Sequence, residues 1–207
     1  MPFMKFIVVT PPEFVPDEAR LIEQLFACGL DVLHLRKPGS DAEACAHLLE
    51  SMPPQLRART VTHDHFGLCE EFELQGIHLN ARNPHVPPSW SKGKQYHTVS
   101  ASCHSVDEVE KMKNVADYVF MSPVFDSISK QGYSSAYSAD ELCAASMRGV
   151  IDSRVIALGG ITLQKIPLLG TWHFGGAAFL GDVWGRAGHA SFAANASELA
   201  SALHEME

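Results

Sequence analysis

Residues 155–162 read Val-Ile-Ala-Leu-Gly-Gly-Ile-Thr, and this stretch decides the fold class. Val155–Leu158 is apolar without polar alternation, which is the pattern of a strand covered on both faces. Gly159 and Gly160 end the run and allow backbone conformations that other residues disfavour. The segment after Thr162 has the character of a short helix. A buried strand, a turn and a helix form the repeating unit of α/β proteins.

Seven further apolar runs accompany this stretch. The eight predicted strands are Lys5–Thr10, Asp31–Arg36, Thr60–Thr62, Gly76–Leu79, His97–Ala101, Tyr118–Val124, Val155–Leu158 and Phe174–Leu180. Helical patterns are found at Pro16–Phe26, Ser40–Ser51, Ser105–Met112, Ala139–Met147 and Ala190–His204. We expect Ser40 to cap the second of them, and Ser105 and Glu108 to form a capping box. Prolines in Asn80–Lys94 and at position 167 predict a missing helix after strand four and a short one after strand seven.

This order predicts an α/β fold, namely a single (β/α)8 TIM barrel over residues 1–207 with short or missing helices after strands 4 and 7. The rival architecture is a doubly wound sheet. Its first strand would lead into a glycine-rich dinucleotide loop, whereas here the first strand leads into Pro11 and Pro12. The barrel is therefore the better prediction.

Composition narrows the class of protein. Hydrophobic residues make up 46% of the chain and charged residues 19%, which suits a globular core. The net charge of −8 and the lack of a Lys/Arg cluster argue against nucleic acid and membrane partners. Five widely spaced cysteines, an odd number, indicate reduced thiols, and the apolar run Phe6–Val9 is too short for a signal peptide. We expect a cytoplasmic protein, and the sequence leaves open whether it forms a homodimer.

The ends of the last strands predict a phosphate site. Barrels of this type carry their active sites at the C-terminal strand ends, and phosphate often lies after strands seven and eight. Glycines there let the backbone approach an anion closely. We expect Asp182 to cap the next helix and to face away. The candidates are Ser127, Ser129 and Lys130 after strand six, Gly159 and Gly160 after strand seven, and Gly181 after strand eight.

Two earlier strand ends carry charged side chains with open alternatives. His34 and Arg36 share one face of strand two, where Arg36 is either a phosphate ligand or a surface residue paired with an acid. His63 and Asp64 end strand three. Asp64 could bind Mg²⁺, orient a base, or cap the following helix.

Strands four and five end on smaller groups. We interpret His78 as a hydrogen-bonded core histidine, because it falls inside an apolar run. Ser102 is predicted to donate a hydrogen bond to an anion, since no carboxylate orienter or nucleophile elbow accompanies it. Cys103 is interpreted as a packing residue.

Taken together, these segments resemble the thiamine phosphate synthase family, which includes the TenI-type thiazole tautomerases. The best-preserved parts, in the family's order and spacing, are Ala116–Tyr118 with Ser122–Phe125, then Ser127–Lys130, then Ala157–Ile161. The resemblance implies a transferase of thiamine biosynthesis. Such an enzyme joins a hydroxymethylpyrimidine diphosphate to a thiazole phosphate and releases diphosphate, with Mg²⁺ as its cofactor.

The resemblance also implies two halves of a site. Thiazole phosphate would contact Ser127, Ser129 and the backbone at Gly160, Leu180 and Gly181. Diphosphate would contact Arg36, Ser102 and Lys130, and the metal would lie on Asp64 and Asn83.

The diphosphate half departs from the family pattern. Pro38 stands in place of a lysine, His63 in place of an asparagine, and Asn83 in place of an aspartate. Lys37 adjoins the lost lysine, but strand parity points it outward. We expect His34 and His63, when protonated, to replace part of the missing positive charge.

Two alternatives to the synthase stay open. One is a TenI-type isomerase, although Pro123 stands where those tautomerases carry their histidine. In that case His34, His63 or His104 would have to act as base. The other is a non-catalytic protein that binds thiazole phosphate.

Overall fold

The structure is a computed structural model that describes residues 4–88, 90, 97–126 and 136–206. Eight parallel strands follow one another around a closed barrel, and the last strand pairs with the first. The strands are β1 (Lys5–Val9), β2 (Val32–Leu35), β3 (Thr60–Thr62), β4 (Gly76–Leu79), β5 (Thr98–Cys103), β6 (Tyr118–Met121), β7 (Val155–Leu158) and β8 (Gly176–Phe179). The predicted (β/α)8 barrel is confirmed.

Helices cover the outside of the barrel. Those in the described ranges are α1 (Glu18–Ala27), α2 (Ala42–Glu50), α3 (Pro54–Arg57), α4 (Gly67–Glu71), α5 (Val106–Met112), α6 (Ala139–Met147), α7 (Ile166–Thr171), α8 (Gly181–Trp184) and α9 (Phe192–His204). No helix occurs in the described part of the β4–β5 connection, and α7 has only 6 residues, as the prolines predict. Among the described residues, no helix is long and apolar enough to cross a membrane.

Two helix caps differ from expectation. Asp41, not Ser40, caps α2, because the Asp41 carboxylate accepts the N–H of Ala44 at 2.8 Å. Ser105 does cap α5, as predicted, but Glu108 accepts from the N–H of His104 instead of from that of Ser105. The predicted capping box is therefore half formed.

The barrel interior is divided by polarity. Apolar side chains such as Ile7, Ile156 and Ala178 fill it toward β1, β7 and β8. Around β2, β4 and β5, buried polar side chains replace them, and His34, His78 and Ser100 are all 0% exposed. The polar part of the interior lies directly beneath the mouth that carries the candidate site.

Candidate active site

The ends of β7 and β8 form one wall of the barrel mouth, which we call the glycine wall: Gly159, Gly160, Leu180 and Gly181. Leu158 pairs with Ala178 across the two strands, so these residues follow at the same edge. Gly160 has a φ of 62°, and a Cβ on it would lie 2.2 Å from the carbonyl oxygen of Asp126. Only glycine fits this position, because the β6 loop packs against the bare backbone.

The glycine wall offers donors to the mouth. The carbonyl of Gly159 accepts the N–H of Phe125 at 3.1 Å, and the carbonyl of Gly160 accepts Lys165 Nζ at 2.8 Å. The N–H groups of Gly159, Gly160 and Gly181 meet no acceptor within the described part of the chain. Acceptors are engaged and donors are open, which is the arrangement that binds an anion.

Helix α8 holds the end of β8 in place. Trp184 donates its indole N–H to the carbonyl of Val9 at 2.8 Å, which fastens α8 across the end of β1. Asp182 lies in the first turn of α8, so the expectation that it caps this helix is wrong. Its carboxylate pairs with Arg186 at 3.5 Å and lies near Asn195, so it does face away, as predicted.

Three predicted phosphate contacts, Ser127, Ser129 and Lys130, lie outside the described residues. Their roles remain predictions. Sequence reasoning missed a second cation at this edge, Lys165, whose ammonium lies 4.6 Å from the ring centre of Phe125 and bonds the Gly160 carbonyl. It braces the glycine wall from behind.

The opposite wall of the mouth is built from side chains, and we call it the charged wall: Arg36, Asp64, Arg82 and Asn83. Arg36 follows β2 and is half-buried, and its guanidinium makes no hydrogen bond to any described residue. Burial lowers its pKa, the nearby Arg82 lowers it further, and Asp64 raises it. Within the described ranges no acid forms an ion pair with Arg36, so the alternative of a surface arginine paired with an acid gains no support there.

Asp64 accepts hydrogen bonds from two neighbours. Arg82 approaches it with Nε at 3.3 Å and Nη2 at 3.1 Å from Oδ1, and Nη2 lies 3.3 Å from Oδ2. Asn83 Nδ2 donates to Oδ1 at 3.0 Å. The capping alternative for Asp64 is wrong, because α4 begins after Phe66 without a side-chain cap. Sequence reasoning missed Arg82, although it stands beside the predicted ligand Asn83.

These residues do not fit a magnesium ion as they are arranged. Asn83 Nδ2 also donates to the carbonyl of His63 at 3.1 Å, and two acceptors fix the amide with its nitrogen toward Asp64. Its oxygen therefore points elsewhere. Mg²⁺ requires oxygen ligands that converge, whereas here a guanidinium and an amide N–H occupy the only carboxylate of the pair.

Comparisons with known proteins agree with this barrel fold. The family model described as "Thiamine monophosphate synthase" matches residues 6–182. The chain belongs to the thiamine monophosphate synthase family. It is 25% identical over 171 residues to the thiamine-phosphate synthase of Shouchella clausii, covering 78% of this chain and 79% of that one. The corresponding enzyme of Halalkalibacterium halodurans is 23% identical with the same coverage.

A solved structure is more similar still. The thiamine phosphate pyrophosphorylase from Bacteroides thetaiotaomicron superposes with a TM-score of 0.85 and 42% identity, over 96% of this chain and 97% of that one. The named relatives are transferases of thiamine biosynthesis. Membership of the thiamine monophosphate synthase family identifies this chain as an enzyme of that class.

Beneath the charged wall, this member of the family carries a buried histidine network. His34 Nδ1 lies 2.9 Å from His63 Nε2, and His34 Nε2 lies 2.7 Å from the hydroxyl of Tyr118. His78 is bonded to Ser100 and Ser102 at 2.8 Å each. The interpretation of His78 as a hydrogen-bonded core residue is confirmed. Ser102 is half-buried at the end of this chain of contacts, beside the mouth.

The network is uncharged at neutral pH. Burial, with a smaller contribution from His78, holds the pKa of His34 well below its usual range. Burial is also the main cause that lowers the pKa of His63, and burial lowers that of His78 to about 3. The expectation that protonated His34 and His63 add positive charge is therefore corrected: water is excluded from both rings, and the charged form loses its solvation.

The same cluster does not suit a metal ion. One ring nitrogen from each of His34, His63 and His78 lies within 4.8 Å of the others. However, both nitrogens of His34 and of His78 already have polar partners. The rings of His63 and His78 are stacked, 4.0 Å apart and 18° from parallel. A metal must lie in the plane of each imidazole that binds it, and stacked rings do not share such a point.

Lys37 is directed outward, as strand parity predicts. Its ammonium forms a buried ion pair with Glu18 at 2.7 Å and donates to the carbonyl of Glu13 at 2.8 Å. Phe14 covers it, with the ring centre 4.6 Å away. Lys37 therefore fastens the loop after β1 to the outside of β2. It does not replace the lysine that the family resemblance implies at the position of Pro38.

Proposed function

We propose that this enzyme joins a hydroxymethylpyrimidine diphosphate to a thiazole phosphate and releases diphosphate. The observation that carries the proposal is the pair of facing walls at one barrel mouth. One wall offers free backbone N–H groups and the other offers guanidinium groups, so that two different phosphate esters have separate places. Family membership supplies the reaction that uses two such substrates.

The glycine wall is proposed to hold the thiazole phosphate. The N–H groups of Gly159, Gly160 and Gly181, next to Leu180, would bind its phosphate oxygens. Ser127 and Ser129 would add two hydroxyls. The glycine wall would hold the thiazole ring over the barrel, where its nitrogen can face the second substrate.

The charged wall is proposed to hold the diphosphate. Arg36, with its unengaged guanidinium, would bind the oxygens that gain charge as the bond between the methylene carbon and the diphosphate oxygen breaks. Lys130 and Ser102 would add donors to the same group. The electron pair leaves with diphosphate, and the thiazole nitrogen then bonds to the pyrimidine-methyl cation. Stabilisation of the departing charge is the main catalytic term that these residues supply.

The isomerase alternative receives no support from the histidines. Proton abstraction needs a base that can bear a charge, and burial disfavours the charged form of His34 and His63. Pro123 stands where the tautomerases carry their histidine, and His104 is tied to Ser122 at 3.1 Å.

The experiment is an assay of the purified full chain with both substrates. Thiamine phosphate and diphosphate are expected in equal amounts, and neither is expected when one substrate is left out. Thiazole phosphate binding without any product would contradict the proposal and would favour a non-catalytic binder instead.

A further inference from the structure

The loop after β4 holds Arg82 firmly toward the mouth. Asn80 Oδ1 accepts the N–H of Arg82 at 3.0 Å and that of Asn83 at 3.2 Å, which makes a tight turn. The Asn80 amide is in turn anchored to the carbonyls of His63 and His78 at 3.1 and 3.3 Å. The turn thus places the Arg82 guanidinium over Asp64 from the solvent side, with the Arg82 side chain 44% exposed.

Arg82 takes the place that a metal ion would need. Two of its nitrogens lie between 3.1 and 3.3 Å from the Asp64 carboxylate, the group that the family resemblance implies as a metal ligand. A cation approaching Asp64 would meet a guanidinium of the same sign. The second ligand position is the neutral Asn83, whose amide nitrogen faces Asp64.

An arrangement with Arg82 and Asn83 has the same net charge as one with a metal ion and a second carboxylate. A magnesium ion with two carboxylates contributes no net charge to the wall, and neither does one guanidinium with one carboxylate and one neutral amide. Arg82 and Asn83 together therefore replace the metal and its second carboxylate without changing the net charge that a diphosphate meets. Arg36 then adds a positive charge in both arrangements.

We propose that Arg82 and Arg36 together bind the diphosphate group directly, so that this enzyme needs no magnesium ion to hold it. The inference rests on the proposed function for the identity of the diphosphate substrate. Guanidinium groups suit this task because their planar donors match the oxygens of a phosphate in pairs. The two arginines are close enough for Arg82 to lower the pKa of Arg36, and an anion between them would relieve that repulsion.

A purely structural role for Arg82 is the competing explanation. In that case, its pair with Asp64 would only brace the loop, and exposed pairs of this kind contribute little stability. Loss of the arginine would then change thermal unfolding slightly and leave anion affinity unchanged. Diphosphate affinity in the absence of metal separates the two roles.

The experiment titrates inorganic pyrophosphate into the full chain by calorimetry in buffer with EDTA. Binding is expected in EDTA. Replacing EDTA with Mg²⁺ should not raise the affinity, when the affinity is calculated from the concentration of pyrophosphate that Mg²⁺ leaves free. Arg82→Met should weaken binding at least about tenfold, since each hydrogen bond to a charged group is lost. Arg82→Lys should restore part of the affinity because it keeps the charge.

Arg154→Met is the matched control. Arg154 is 47% exposed and pairs with Asp152, but it precedes β7 and lies at the opposite end of the barrel. The Arg154→Met variant should therefore bind pyrophosphate with the affinity of the wild type. The double variant Arg82→Ser with Asn83→Asp should turn binding from metal-independent to Mg²⁺-dependent, because it supplies a second carboxylate and frees Asp64.

Two results would overturn the inference: wild-type binding that appears only with Mg²⁺, or an Arg82→Met variant that binds as tightly as Arg154→Met. The outcome is separable from that of the proposed function. Metal-free binding that depends on Arg82, without any thiamine phosphate formed, would keep the anion site and reject the synthase. Product formation together with pyrophosphate binding that appears only with Mg²⁺ would keep the synthase and reject the arginine pair.

Discussion

The two walls of the barrel mouth present their donors in different ways. The glycine wall uses backbone N–H groups that open where Gly159 and Gly160 turn with positive φ. The charged wall uses the side chains of Arg36 and Arg82. Of these, Arg82 is held by the Asp64 carboxylate, which also accepts a hydrogen bond from the Asn83 amide. Both kinds of donor suit phosphate oxygens, but only the donors of the charged wall are side chains that a substitution can remove.

The difference fits the departures from the family pattern that the sequence resemblance implies. A backbone donor survives most substitutions, provided that glycine keeps the turn, so the phosphate half stays recognisable. A side-chain donor is lost with one substitution and regained with another nearby. By the resemblance, Pro38 and Asn83 stand in place of a lysine and an aspartate, and Arg82 supplies a cation next to Asn83.

The largest effect is expected from Gly160→Ala, which breaks the glycine wall itself. A Cβ would lie 2.2 Å from the Asp126 carbonyl oxygen, so the β6 loop and the turn must separate. Thiazole phosphate affinity should fall more than about 100-fold, because a misplacement of about 1 Å at a positioned site costs that much. Titration of thiazole phosphate measures it.

Gly149→Ala is the control for backbone strain alone. Gly149 has a φ of 71° and nothing within 4 Å of a Cβ. Both variants carry the cost of a left-handed alanine, about 1–2 kcal/mol, but only Gly160→Ala should lose thiazole phosphate. Equal binding of thiazole phosphate by the two variants would show that the glycine wall does not hold this substrate.

A somewhat smaller effect is expected from Arg36→Met, which breaks the charged wall. Turnover should fall about 100-fold, the usual result of removing one donor from developing negative charge. Arg36→Lys should recover a part, because it keeps the charge but not the planar fork. Steady-state assays measure both. Unchanged turnover in Arg36→Met would show that this guanidinium does not meet the diphosphate.

The sequence was sufficient for the barrel and for the glycine wall. Both depend on local patterns: apolar runs such as Val155–Leu158 and the glycine pair that ends one of them. The charged wall depends on which side chains meet across strands. Arg82 and Asp64 lie 18 positions apart, and no periodicity indicates that they form a pair.

The buried histidines show the same limit of prediction from the sequence. His34 and His63 look like charged residues at strand ends, and only the closed barrel shows that they are buried against each other and Tyr118. Burial decides their protonation, and burial is a property of the assembled sheet rather than of the strand. The outward direction of Lys37, by contrast, follows from strand parity and was predicted.

Acid is expected to destabilise the protein through the network under the charged wall. His34 and His78 have lowered folded pKa values, so the unfolded chain binds more protons below pH of about 6.5. The stabilisation that these neutral histidines contribute to the fold is complete above that pH. It is lost as the pH falls toward their pKa values in the folded protein. The free energy of unfolding should drop by about 1.4 kcal/mol per histidine for each pH unit in that window.

Urea unfolding at pH 7.5 and 5.5 measures this loss. His78→Gln, which removes one of the buried rings, should reduce the pH dependence. A stability that is independent of pH across this window would mean that the buried rings are not neutral.

The smallest effect is expected from Gly181→Ser. The Gly181 N–H is the predicted contact, and its backbone does not have the positive φ that requires glycine. Thiazole phosphate affinity should stay within about twofold of the wild type, as for substitutions that remove no contact. Calorimetric titration measures it, and a large loss would mean that the space around Gly181 matters more than its N–H group.

The most direct test of two walls serving one reaction is a kinetic comparison of wild type, Gly160→Ala and Arg36→Met with both substrates. The wild type is expected to form thiamine phosphate. Gly160→Ala should raise the KM for thiazole phosphate, and Arg36→Met should impair the use of the pyrimidine diphosphate with little change in thiazole phosphate binding. No product from the wild type, or two variants that impair the same substrate, would contradict it.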